Sequence, residues 1–273
     1  STCPTVTDID DNVYTTVEIG NQTWMKQNLK VSHYNDGDEI SYVQGDWTSS
    51  DFGAYTMFNY DESIAEVYGY LYNWYAAAEE RNVCPEGWHV PSDYDWFELV
   101  EYLEGNIVES GYGNDLPYNK YDIGEKLKEE GVQHWNLPNL GATNETSFTA
   151  LPGGNRNWGN GNFDDFGNAG GHWSSNERGV NSYGETGSDW ALSTFDADLT
   201  NMCSLKNYGL SIRCLESVEG CTDSYADNYD ETANVDDGSC TYPVNGDYSL
   251  SFDGVDDYVQ LDPIDLNGSF TFQ

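Results

Sequence analysis

The sequence predicts an α+β fold, with a few short helices set against a small twisted antiparallel sheet and a small disulfide-stapled linker module behind it. Three observations lead there. Aromatic residues make up 15% of the chain and glycines number 28, which suits short strands and ordered loops around an aromatic core. Residues 92–103 carry an apolar stripe at helical spacing. Beyond about residue 140 the pattern breaks into short strands separated by Gly and Asn loops.

Taken in order, residues 5–20 alternate apolar and polar and read as a hairpin, with Val6 and Ile9 on one arm and Val13, Val17 and Ile19 on the other. Asp10-Asp11-Asn12 at its tip has the composition of a turn, with a cation site as the alternative. Residues 71–80 are expected to be helical, supported by Ala76-Ala77-Ala78. The clearest helix is 92–103. Ser92 is its N-cap, Asp95 the capping-box partner, and Trp96, Leu99, Val100 and Leu103 its apolar stripe. The preceding His89-Val90-Pro91 is expected to be extended, because proline disfavours the helical region for the residue before it. A further helix is predicted over 123–130, ended by Gly131. Trp173 and Trp190 are expected to fill the core under Gly-rich loops.

The chain has 10 Lys and Arg against 48 Asp and Glu, a formal charge of −38. A field of that sign repels nucleic acid and anionic membrane surfaces. It suits divalent cations, or a salty medium in which screening weakens self-repulsion. No apolar run reaches the ~18 residues that a membrane helix needs, so no membrane span is expected. Ser1-Thr2-Cys3-Pro4 reads as a mature or trimmed end. Six cysteines, an even number with none in a CxxC, suit disulfides in an oxidising compartment. An extracellular or cell-surface location is therefore expected.

Three segments are expected: a main domain over 1–217, a Cys-bounded Asp-rich repeat over 218–243, and the first strands of another domain over 244–273. The middle one is too short to bury a core and needs a staple. A Cys221–Cys240 disulfide would close a loop of about 20 residues, worth roughly 3 kcal/mol. Ca²⁺ takes about six to eight oxygens, and Asp223, Asp227, Asn228, Asp230, Asp236 and Asp237 could supply them. A solvated acidic linker is the alternative. The last stretch, from Tyr248-Ser249-Leu250-Ser251-Phe252 to Asp257-Tyr258-Val259, resembles the opening strands of a laminin-G-like, concanavalin-type jelly roll. Such a domain needs on the order of 150 more residues, so a fragment of a longer protein is expected.

Six motifs occur in fixed order. They are Val17-Glu18-Ile19-Gly20-Asn21-Gln22-Thr23-Trp24-Met25, Tyr70-Leu71-Tyr72-Asn73-Trp74-Tyr75-Ala76-Ala77, Cys84-Pro85-Glu86-Gly87-Trp88-His89-Val90-Pro91-Ser92, Ala150-Leu151-Pro152-Gly153-Gly154-Asn155-Arg156, His172-Trp173-Ser174-Ser175 and Gly209-Leu210-Ser211-Ile212-Arg213-Cys214. Together they resemble the Fibrobacter succinogenes major paralogous domain, a C-type-lectin-like module of bacterial surface proteins, over about residues 5–216. The resemblance implies a Cys84–Cys214 bridge and leaves Cys3 and Cys203 as a further pair. Spacing alone leaves the connectivity open. It also implies a ligand-binding long-loop region, here about residues 153–208. Asn155, Asn157, Trp158, Phe163, Asp164, Asp165, Tyr183, Asn207 and Tyr208 are its candidate contact residues. Rings with amides and carboxylates suit sugar faces and hydroxyls, or a protein partner with aromatic anchors. The calcium-bridged sugar site of lectins carries Glu-Pro-Asn and Trp-Asn-Asp. Leu137-Pro138-Asn139 and Trp173-Ser174-Ser175 stand here instead.

Catalytic signatures are absent from the sequence. His33, His89, His134 and His172 form neither HxH nor HExxH, and no GxSxG occurs. With 48 acids, a carboxylate pair at glycosidase spacing carries no information. The resembled fold also houses formylglycine-generating enzymes with active-site cysteines, and Cys214 beside Arg213 is the candidate for that alternative. The leading expectation is a non-enzymatic recognition or adhesion module of a secreted multidomain bacterial cell-surface protein, binding a glycan or an extracellular protein. A structural subunit of an extracellular filament, contacting other copies of itself, is the other alternative. Asn21, Asn144 and Asn267 begin Asn-x-Ser/Thr sequons.

Overall fold

A computed structural model describes residues 4–242 apart from 46, 48, 49, 114 and 115. The chain begins with β1 (Thr5–Thr7) and β2 (Val13–Ile19), an antiparallel hairpin. Its turn is held by Asp8, whose Oδ1 accepts the backbone N–H groups of Asp10 at 3.0 Å and Asn12 at 2.9 Å. Ile9 lies in this turn rather than on an arm. The strand β3 (Gln22–Met25) returns along β2 through Gly20 at φ +64°. Next come β4 (Ser41–Tyr42) and β5 (Ala54–Thr56), then α1 (Glu62–Tyr68), β6 (Leu71–Tyr72) and α2 (Trp74–Ala77). The strands β4, β5 and β6 make a three-stranded sheet.

The middle of the chain holds β7 (Trp88–His89), α3 (Asp93–Tyr102), the hairpin β8 (Ile107–Gly113) and β9 (Leu116–Tyr121), and α4 (Gly124–Leu127). A miniature hairpin follows, β10 (Asn155–Arg156) with β11 (Phe163–Asp164), then the long strands β12 (Ala169–Asn181), β13 (Gly184–Ser193) and β14 (Leu199–Leu205). The chain closes with β15 (Leu215–Glu216), β16 (Glu219–Gly220) and β17 (Val235–Asp236). One five-stranded sheet runs β1-β2-β3-β15-β7 and joins the two ends of the main domain. The other runs β12-β13-β14-β9-β8. Its register shifts between Trp173 and Glu177 and again between Glu177 and Gly179, and such bulges bend a sheet.

The predicted α+β class, with its C-type-lectin-like balance of helices against one small sheet, is corrected: the fold is mostly β. Among the described residues seventeen strands form five sheets, while the α-helices have 7, 4, 10 and 4 residues. Only the predicted 92–103 helix keeps its length, as α3, with both halves of the Ser92–Asp95 capping box formed. The expected helix over 71–80 fails because Leu71 and Tyr72 pair with Thr56 and Tyr55 as strand. Asn73 then caps a single turn by accepting the Ala76 N–H. The helix over 123–130 stops at Leu127, because Lys128 is extended and bridges to Ala150. The buried Lys128 ammonium donates to the carbonyls of Leu140, Ser193 and Asp196 at 2.9, 3.0 and 2.6 Å, an arrangement a continuing helix would break.

Two apolar clusters fill the main domain. One gathers Tyr14, Met25, Leu29, Tyr72, Trp173 and Ile212 around the Cys84–Cys214 disulfide. The other is built on indoles. Trp96 stacks on Trp190 at 5.6 Å and lies 4.8 Å from Trp24, pairs worth about 0.5–1.5 kcal/mol each beyond their area. Trp173 and Trp190 are fully buried, as the sequence predicts. The Cys221–Cys240 disulfide is also formed, beside the parallel pair β16 and β17. The expected strands over 244–273 lie outside the described residues, as does Cys3. Cys203 forms no disulfide with any described residue.

Candidate functional site

The broad sheet has one face on the indole cluster and part of its other face under loops. Alternation decides which side chains go where. Ser188 and Trp190 of β13 point one way, and both donate to Asp93 Oδ1, at 2.7 and 3.0 Å. Asp189 and Ala191 point the other way and line a cleft of about 580 Å³. Gly171 and Ala169 of β12 line the same cleft beside Ala191. Small floor residues leave depth that larger side chains would fill.

The walls come from the loops the sequence singled out. Asn155, Trp158, Asp165, Tyr183 and Tyr208 line the cleft together. Trp158 sits in the turn of the β10–β11 hairpin, where Asn157 Oδ1 accepts the Gly159 N–H at 2.9 Å. Buried Arg156 anchors that hairpin. Its backbone pairs both ways with Gly209 at 2.9 Å, and its guanidinium lies 4.1 Å above the Trp47 ring. The Trp47 indole N–H in turn donates to the Asn207 carbonyl at 2.9 Å. A side chain at Gly209 would meet Arg156 Cβ at 2.8 Å, so glycine permits this close pairing. Tyr183, 63% exposed, is held at the β12–β13 turn by Asn181, whose Oδ1 accepts its N–H at 2.8 Å. The Trp158 and Tyr183 rings meet at 5.9 Å.

The remaining candidates lie elsewhere. Phe163 packs its ring 5.1 Å from both Phe58 and Tyr60. Asp164 is exposed and pairs through its backbone with Asn155. Asn157 shapes the Trp158 turn, and Asn207 offers its carbonyl to Trp47; neither lines the cleft.

Asp189 escaped the sequence reading. It is 2% exposed, lines the cleft, and its Oδ1 has no hydrogen-bond partner among the described residues. Burial pushes its carboxyl up to about 7, against the pull of the Ser204 hydroxyl and N–H. Across the cleft, Tyr208 is also raised, by burial and then by the nearby carboxylates of Asp189, Asp164 and Asp165. Cys203 lines the same cleft with its thiol 3.5 Å from the Pro117 carbonyl, and burial pushes that thiol up.

The six proposed calcium ligands are spread around the 221–240 loop. Asp223 Oδ1 accepts the Tyr225 N–H at 2.9 Å, Asp230 Oδ1 that of Thr232 at 2.9 Å, Asp236 Oδ1 that of Gly238 at 3.0 Å, and Asp237 Oδ1 that of Ser239 at 2.8 Å. Asn228 Oδ1 accepts the Thr241 N–H at 2.7 Å, and Asp227 is exposed. Among the described residues no three His, Cys, Asp or Glu side chains converge as metal ligands, so this arrangement does not present a finished cation cage. Cys214 is disulfide-bonded and carries no free thiol. No helix among the described residues is long and apolar enough to cross a membrane.

The family model described as the Fibrobacter succinogenes major domain matches residues 17–216. No curated protein and no solved structure matches the chain.

Proposed function

The chain belongs to the Fibrobacter succinogenes major domain family, and from that premise we propose that it is a non-enzymatic recognition module of a secreted bacterial cell-surface protein, holding a glycan in the cleft over β12, β13 and β14. The observation that carries this reading is the cleft itself. Its volume, about 580 Å³, is in the ordinary range for small-ligand sites. Trp158, Tyr183 and Tyr208 offer ring faces, and Asn155, Asn181 and Ser204 offer hydrogen-bonding groups among its lining. Loops pinned by Arg156, Trp47 and Asn181 reduce the ordering cost of binding. The two disulfides support an oxidising, extracellular setting.

A glycan array probed with the full chain tests this. Retention of a defined glycan class is expected, with Trp158→Ala reducing it at least tenfold at unchanged melting temperature. Retention that is indifferent to that substitution would put the site elsewhere.

Self-association is a second reading, favoured by one observation. The strand β8 is an edge of the broad sheet, and Ile107 and Val108 on it are 59% and 52% exposed. An open apolar edge is a template for another strand. Light scattering across concentration, with Val108→Lys beside the wild type, tests it; a monomer at every concentration ends it. Calcium in 218–243 is a separate proposal resting on the oxygen-rich donor set. It requires the loop to close around the ion. Chelator is expected to raise protease cleavage within 218–243 more than within the main domain, and equal cleavage counts against it.

A further inference from the structure

We infer that the cleft is built for a cationic amino sugar, a pyranose bearing a free ammonium group. The inference rests on the glycan-recognition reading and narrows it to a ligand class. Two features carry it. The first is the charge of the lining: Asp165 and Asp189 both line the cleft, and no Lys, Arg or His is among its described lining residues. The second is Asp189, a carboxyl 2% exposed with Oδ1 unpartnered among the described residues. A buried polar atom left without a partner is destabilising, the more so when charged. A ligand donor that reaches it removes that penalty. An ammonium does so best, because it supplies both the hydrogen bond and the opposite charge.

The ring faces add to the same preference. An ammonium near the face of Trp158, Tyr183 or Tyr208 gains cation–π attraction, while the pyranose C–H face packs on an indole. Other charges near Asp189 leave room for a cation. Ser204 hydrogen-bonds its carboxyl, while Asp93 and Arg178 act on it with opposite signs. Arg178 is itself held by Asp93 at 3.6 Å and donates to Asn201. A lone lysine side chain would leave most of the 580 Å³ unfilled.

Titration calorimetry with the full chain tests this, with a β-1,4-linked glucosamine disaccharide as probe. Its N-acetylated counterpart and lysine amide are the comparison probes. The free-amine disaccharide is expected to bind at least tenfold more tightly than either. Asp189→Asn should reduce its affinity at least tenfold, and Asp165→Asn, at the exposed rim, by a smaller factor. The amine's advantage should grow between about pH 5 and pH 7, as Asp189 becomes easier to ionise. Equal affinity for the acetylated sugar, or full affinity in both variants, overturns the inference. So does lysine amide binding as tightly as the disaccharide. A neutral glycan held in this cleft and lost in Trp158→Ala leaves the recognition reading intact and removes this one alone.

Discussion

Asp189 shows how one side chain ties the site to stability. Its carboxyl titrates near 7 in the fold and near 3.9 in an unfolded chain. Between those values the folded protein holds a proton that the unfolded chain has lost, so stability falls as pH rises through the window and stays low above it. Asp189→Asn removes that penalty. It is expected to raise stability at pH 8 by roughly 2–4 kcal/mol and to change it little at pH 4, read by thermal melts followed by circular dichroism. A gain of the same size at both pH values contradicts the burial account. Nothing in the sequence marks this residue. It is one of 48 acids, and Gly187-Ser188-Asp189 resembles a loop more than a strand. The rim was legible, because Trp158, Tyr183 and Tyr208 stand out among Asn and Gly. The floor was not, because its depth comes from Ala169, Gly171 and Ala191, residues that draw attention only once β12 and β13 place them side by side.

Secondary-structure elements divide according to whether local or distant forces set them. The helix α3 was readable because its cap, capping box and apolar stripe all lie within 92–103, and Ser92→Ala is expected to lower stability by about 1 kcal/mol in urea titration. The helix α1 carried a comparable signal that went unread: Asp61 accepts the Ser63 N–H at 2.8 Å, and Gly69 follows the last turn at φ +77°. The helices expected at 71–80 and 123–130 are cut to the single turns α2 and α4 by distant partners, the strand pairing with Tyr55 and the carbonyl cage around Lys128. The long strand β13 depends on Gly187, where a Cβ would sit 2.1 Å from Trp74 Cδ1. The Trp74 indole N–H donates to the Ser174 carbonyl at 3.1 Å, and the Lys206 ammonium lies 4.4 Å from the ring. The ring therefore cannot yield freely. Gly187→Ala is expected to destabilise by about 1–3 kcal/mol through overpacking; a neutral result in urea titration means the indole moves.

The whole molecule is an acidic, cross-linked β-structure. Cys84–Cys214 joins residues 130 apart in sequence, and a loop of that size corresponds to about 5 kcal/mol in the chain-entropy model. Cys84→Ser/Cys214→Ser, which leaves Cys221–Cys240 in place, is expected to lower the denaturation midpoint of the main domain by a comparable free energy; an unchanged midpoint removes the cross-link from the account. Rigidity of this kind is what a preformed cleft requires, since walls that are already ordered lose little entropy on binding. The claim at the centre is that this cleft grips a glycan without moving its frame. Hydrogen exchange by mass spectrometry, with and without the glycan the array retains most strongly, tests it most directly. Slowed exchange confined to about residues 153–165, 181–191 and 202–210 is the expected result. Unchanged exchange in those segments, with protection arising elsewhere or nowhere, contradicts the claim.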